Sequence, residues 1–303
     1  MAGRDHLEES VVLIDGPWTH RDISANGIRL HAAEAGSGPL VVLLHGFPGF
    51  WWSWRHQLSV IAGAGFRAVA PDLRGYGASD KPPRGYDPMT AAADIAGLIR
   101  ALGESRAVLV GHDWGAHIAW TTAALHPSLV ERLVVVSDPH PLRWLPVLAR
   151  DQRQRAASSH VARFQLPWHP ERWLVADDAV NVTRLLRRWA GPHYDHADSE
   201  RRYRDAMLIY GAPHCALEYF RWAVRAVPRS DGRHFRDALR QPIAAATLQL
   251  HGDVDACVLP SSALHSDNYV DAPYEWRLLE GVGHFPPEEQ PDLVSDEIVR
   301  WIK

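Results

Sequence analysis

Residues 107–115 read AVLVGHDWG, and residues 116–126 continue as AHIAWTTAALH. Four apolar residues run into Gly111-His112-Asp113-Trp114-Gly115, and a helical pattern follows at once. This is the setting of a sharp strand-to-helix turn, G-x-Nu-x-G, in which the middle residue is presented for reaction. The glycines permit the turn, where a side chain would clash. Asp113 is thereby lifted onto the C-terminal edge of a sheet, where sites on open α/β sheets lie. Aspartate is also a good helix N-cap, so the turn gains its meaning from the rest of the chain.

Working outward, residues 18–36 read as two strands joined by the hairpin dipeptide Asn26-Gly27. Leu40–Leu44 is a continuous apolar run, as in a strand buried on both faces. Trp54–Gly63 reads as helix, Phe66–Ala70 as strand, Pro71–Asp80 as a glycine-rich loop, Ala91–Gly103 as helix and Arg132–Val136 as strand. This alternation predicts an α/β fold with a mostly parallel sheet and helices on both faces. The pattern breaks over residues 139–235, which are rich in Arg, Trp and Pro, and strand signals return at Ala246–His251 and Glu275–Leu279. The expected division is a core domain over 1–138, a helical insertion over 139–235, and the second part of the core over 236–303.

The chain has 303 residues, enough to bury a sizeable core. Thirty-two Lys and Arg against 36 Asp and Glu leave a net charge of −4 with no basic stripe, which argues against nucleic acid as a partner. Cys215 and Cys257 lie in no metal-binding spacing and read as reduced thiols. The VVLI run near the N-terminus is too short for a signal h-region. No stretch approaches the roughly 18 apolar residues of a membrane span. A cytoplasmic protein is expected, with a homo-oligomer left open. The 13 tryptophans fit core packing, and some fit the wall of an apolar pocket.

An aspartate nucleophile is ionised at neutral pH and needs no base to attack. Attack on an sp³ carbon makes an ester, whose hydrolysis requires a base and an oxyanion hole. His284, in Gly283-His284-Phe285 after the last strand, fits the chain order nucleophile, acid, histidine. After strand 246–251 come Asp253 and Asp255, either of which could orient the histidine; similarity to the G-x-x-D spacing of related hydrolases favours Asp255, with Asp253 next and Asp138 third. The loop His45-Gly46-Phe47-Pro48-Gly49 can offer the Phe47 N–H to an oxyanion hole, with the Trp114 N–H as second donor. The peptide before Pro48 is a candidate cis bond.

Over roughly residues 18–303 the chain resembles the epoxide hydrolases of the α/β-hydrolase superfamily. The resemblance is carried by HGFPGFWWSWRHQL (45–58), APDLRGYGASDKP (70–82), VGHDWGAHIAW (110–120) and GVGHFPPEEQP (281–291). It implies an α/β-hydrolase fold with an inserted helical cap, and conversion of a small apolar epoxide and water to a diol, with no cofactor or metal. The family's cap carries two tyrosines that hold the epoxide oxygen. In HVARFQLPW (160–168) the first position falls on His160, and in ALEYFRW (216–222) the second falls on Phe220 with Tyr219 adjacent. The expected proton donors are therefore His160 and, through a local shift, Tyr219. Haloalkane dehalogenation is the alternative, with halide held by Trp114 and a cap tryptophan such as Trp144 or Trp168. A binding role on the same fold is the third, against which an intact nucleophile, acid and base argue.

Overall fold

The computed structural model describes residues 6–192, 194 and 197–303. The hairpin dipeptide forms as its residues demand: Asn26 and Gly27 have φ of 48° and 77°, and the tight turn between two strands needs positive φ at both. The strands it joins are β1 (Thr19–Ala25) and β2 (Ile28–Gly36). They are followed by β3 (Leu40–Leu44), β4 (Arg67–Pro71), β5 (Ala107–His112), β6 (Val130–Val136), β7 (Ala246–Gly252) and β8 (Tyr274–Leu279). Among the described residues these make one sheet in the order β1-β2-β4-β3-β5-β6-β7-β8. β2 pairs antiparallel with β1 and β4, and all other pairs are parallel. Every residue of β3 and β5 is buried, because helices cover both faces of this central pair.

The core helices are α1 (Arg55–Gly63), α2 (Pro88–Ala101) and α3 (Trp114–Leu125). α2 starts earlier than the apolar periodicity implies: the Asp87 side chain accepts from the Thr90 N–H at 2.8 Å, and Pro88 takes the first helical position. α3 also starts two residues early, directly after Asp113.

Between β6 and β7 the described residues add no strand to the sheet. They form α4 (Trp144–Arg150), α5 (Gln152–Ala157), α6 (Ser159–Phe164), α7 (His169–Leu174), α8 (Ala176–Trp189), α9 (Ala197–Met207), α10 (Ala212–Arg225) and α11 (Ser230–Ala238). The chain ends with α12 (Pro260–Ala263), α13 (Pro286–Glu289) and α14 (Pro291–Ile302). The parallel strands all deliver their following loops to one edge. Residues 45–49, 72–80, 113, 137–140, 253–258 and 281–285 therefore converge beneath the insertion. No helix among the described residues is long and apolar enough to cross a membrane.

Candidate active site

Asp113 sits at φ 52° and ψ −121°, a conformation an L side chain rarely adopts. The turn that imposes it is packed without room to relax. A Cβ on Gly115 would lie 2.1 Å from the Leu44 carbonyl oxygen, and one on Gly111 2.3 Å from that of Gly115. The carboxylate faces the β3 loop, where the Phe47 N–H donates to Oδ1 at 2.7 Å. The Phe47–Pro48 peptide in that loop is cis. The Trp114 N–H also donates to the carboxylate. Burial would raise the Asp113 pKa, but the facing His284, the charge of His112 and the Trp114 N–H outweigh it, so the group is held below the ordinary aspartate value.

His284 is fully buried, with Nδ1 2.8 Å from Asp255 Oδ2 and Nε2 3.5 Å from Asp113 Oδ2. The second distance is ion-pair range and longer than a good hydrogen bond. Asp255 is itself fixed: its Oδ1 accepts from the N–H groups of Cys257 at 2.8 Å and Val258 at 2.9 Å. Burial opposes its ionisation, but His284 and His251 hold its pKa far below the usual range. Burial likewise pushes the His284 pKa down, yet Asp255 and Asp113 win and raise it to about 10. Of the three aspartates weighed from sequence, Asp255 is the one against His284. Asp138 instead accepts from Trp144 Nε1 at 3.3 Å and lies 3.4 Å from His117 Nδ1. Burial raises its pKa to about 6.

The insertion closes over this constellation with an aromatic wall. Phe47 meets Phe220 edge to face at 5.2 Å between ring centroids, Phe164 at 5.8 Å and Trp189 at 6.2 Å. Trp114 meets Phe220 at 5.2 Å. His160 joins the wall on α6, 4.9 Å from Trp189 and 5.6 Å from Phe164. Its Nδ1 is 3.2 Å from the Ala157 carbonyl oxygen. A carbonyl only accepts, so in the neutral ring Nδ1 carries the proton and Nε2 the lone pair. Burial pushes the His160 pKa down to about 4.

Tyr219 requires a correction. Its hydroxyl donates to the Arg74 carbonyl at 2.9 Å, and its ring packs on Tyr86 and Tyr76, so it is committed to the junction of insertion and core. The neighbouring position on α10, Phe220, packs on Phe47 and Trp114 beside Asp113, and no local shift exchanges the two. The two cap tryptophans suggested as halide donors are corrected as well: Trp168 is 75% exposed, and the Trp144 indole is bonded to Asp138. Trp189 and Phe164, which the sequence did not single out, build the aromatic wall against Phe47 instead. Both lie at apolar positions of insertion helices with no local motif to mark them. Among the described residues no group of three or more His, Cys, Asp or Glu side chains could hold a metal ion.

The profile of the α/β hydrolase fold family matches residues 39–291. The chain is 34% identical over 287 residues to Epoxide hydrolase 3 of Xenopus tropicalis, covering 92% of this chain and 76% of that protein. It is 32% identical over 291 residues to Epoxide hydrolase 4 of Homo sapiens, covering 93% and 77%. A crystal structure of Bacillus megaterium epoxide hydrolase in complex with an inhibitor superposes with a TM-score of 0.82 at 27% identity, covering 93% of this chain and 99% of that one.

Proposed function

The chain belongs to the α/β-hydrolase superfamily and to its epoxide hydrolase family, and from that membership we propose that it opens a small apolar epoxide to a vicinal diol through an ester on Asp113. The observation that carries the reading is the division of labour within one carboxylate. Oδ1 is held by the Phe47 N–H at 2.7 Å, while Oδ2 faces His284. Oδ2 is thus the free nucleophile. It attacks an epoxide carbon, the carbon–oxygen bond of the ring breaks, and the alkoxide takes up a proton. The oxygen already held by the Phe47 N–H becomes the ester carbonyl.

Ester formation then switches on the base. Asp113 is one of the two charges that keep His284 protonated. Once it is a neutral ester that support is gone, and burial drives the imidazole toward its neutral form, its proton passing to solvent. Nε2 accepts a proton from water, and the hydroxide adds to Cγ. The Phe47 and Trp114 N–H groups stabilise the oxyanion on Oδ1, and the Cγ–Oδ2 bond breaks, the proton of the added hydroxyl passing to the leaving oxygen, to release the diol and restore the Asp113 carboxylate beside the imidazolium. The oxygen from water stays on Asp113. Asp255 holds the ring and balances its positive charge. The helical insertion acts as a cap whose aromatic wall excludes water and suits an apolar substrate.

Among the described residues of the wall, His160 is the titratable side chain able to give up a proton, and it donates from Nε2 as the imidazolium. Phe220, standing where a second hydroxyl was expected, is the observation that favours haloalkane dehalogenation as the second reading, since halide needs no proton. A turnover screen with styrene oxide, cyclohexene oxide and 1-bromobutane separates them. Diol from an epoxide without bromide release is the expected result. Bromide release without epoxide turnover would establish the second reading.

A further inference from the structure

We infer that Glu289 is a positioning residue for the catalytic base, seating His284 and one wall of the pocket together; the inference rests on the two-step reading above. Glu289 ends α13, five residues beyond His284, and is buried. Its Oε1 accepts the Phe285 N–H at 2.9 Å, and its Oε2 accepts the Gly283 N–H at 2.7 Å. These are the N–H groups of the residues on either side of His284. Oε2 also accepts the Gly191 N–H at 2.9 Å, which belongs to the chain leaving α8. The remaining amide in the loop, that of His284, donates to the Trp189 carbonyl at 2.9 Å. Three consecutive N–H groups of the histidine loop are thus fixed by one carboxylate and one cap carbonyl.

The two backbones meet with nothing between them. A Cβ on Gly283 would lie 2.1 Å from the Gly191 nitrogen, and one on Gly191 2.7 Å from Glu289 Oε2. Trp189, whose carbonyl holds His284, is the side chain of the aromatic wall whose ring lies 4.9 Å from that of His160. Glu289 therefore reaches the reaction through two others: it sets the height of His284 over Asp113 and the seat of Trp189 against the substrate. The adjacent Glu288 grips the same cap independently, with Ser199 Oγ donating to it at 2.6 Å, Tyr203 bonded to it and Arg55 2.9 Å away. Releasing Glu289 alone leaves the cap tethered.

Glu289→Gln keeps size and shape, so a packing role predicts parental behaviour. A carboxylate role predicts loss, because the amide NH2 would face the N–H of Gly283 or of Phe285. In rapid-quench single turnovers with styrene oxide, alkylation of the Asp113 peptide is expected to stay within about threefold of the parent. Hydrolysis of the ester is expected to fall about 10²-fold, the cost of misplacing a catalytic group by about 1 Å. The alkylated enzyme then accumulates in the steady state, which a general loss of stability does not produce. Equal loss in both steps, or none in either, would overturn the inference. Should E289Q not fold, Glu289→Asp, which keeps the charge but falls about 1.5 Å short, must show the same selective slowing; a parental ratio of the two rates would overturn it. His284→Gln serves as the control, since failure of that variant to trap any adduct on Asp113 defeats the two-step reading and not the role of Glu289.

Discussion

At His160 the neighbouring backbone chooses the tautomer. With Nδ1 committed to the Ala157 carbonyl, the ring donates from Nε2 only when it carries a second proton, and burial holds that pKa near about 4. The donor form therefore becomes more abundant as pH falls. Asp113, held below the ordinary aspartate value, stays ionised over the same range. We predict that single-turnover alkylation accelerates as pH is lowered from 8 to 5, and that His160→Phe slows it by about 10²–10⁴ and flattens this dependence. Hydrolysis of a preformed ester should change little in that variant. An H160F enzyme that keeps the acid-side rise would place the donor elsewhere. The pair Tyr219 and Phe220 marks where residue-level reading stops. Adjacent helical positions point about 100° apart, and nothing local in ALEYFRW says which of the two meets the pocket. Tertiary contacts decide, through the Arg74 carbonyl and the rings of Tyr76 and Tyr86. Asp113 and His284 were readable because glycines and strand ends punctuate the sequence around them.

At the scale of elements, the turn between β5 and α3 works because two backbones touch. A methyl group on Gly115 would press on the Leu44 carbonyl at 2.1 Å and the His45 carbonyl at 2.6 Å. Both are backbone, so the strain passes into the strand that carries Phe47 to Asp113. Gly115→Ala is expected to destabilise the fold by about 1–3 kcal/mol, as overpacking does. It should also lower turnover by about 10²–10³, the usual effect of losing one oxyanion donor. Thermal unfolding and steady-state assays on the same preparation check this, and a lowered melting temperature with parental turnover would contradict it. The sheet was legible because buried parallel strands leave continuous apolar runs, as LVVLL does. Helix starts were less so: the Asp87-Pro88 cap signal lies three residues ahead of the first alanine of the apolar pattern. The order of the insertion's helices left no comparable trace, since short amphipathic segments share one period and differ only in what they pack against.

At the scale of the molecule, a parallel sheet brings Asp113, Asp255 and His284 to one edge, and the helical insertion after β6 covers them. The two parts are joined beside the chemistry itself, where Trp189 and Gly191 of the cap meet His284 and Glu289 of the core. This joint was not visible in sequence, because backbone-to-backbone contacts leave only glycines behind, and Gly191 and Gly283 stand 92 residues apart. The arrangement has meaning only if the reaction passes through an ester on Asp113, and the fate of the water oxygen decides that. A single turnover with excess enzyme and styrene oxide in ¹⁸O-labelled water, followed by mass analysis of the diol and of the Asp113 peptide, is the direct measurement. The account predicts label in the Asp113 carboxylate and an unlabelled diol, because Oδ2 leaves with the product and water replaces it. Label in the diol with an unlabelled Asp113 peptide would mean that water attacks the epoxide itself, and would contradict the account.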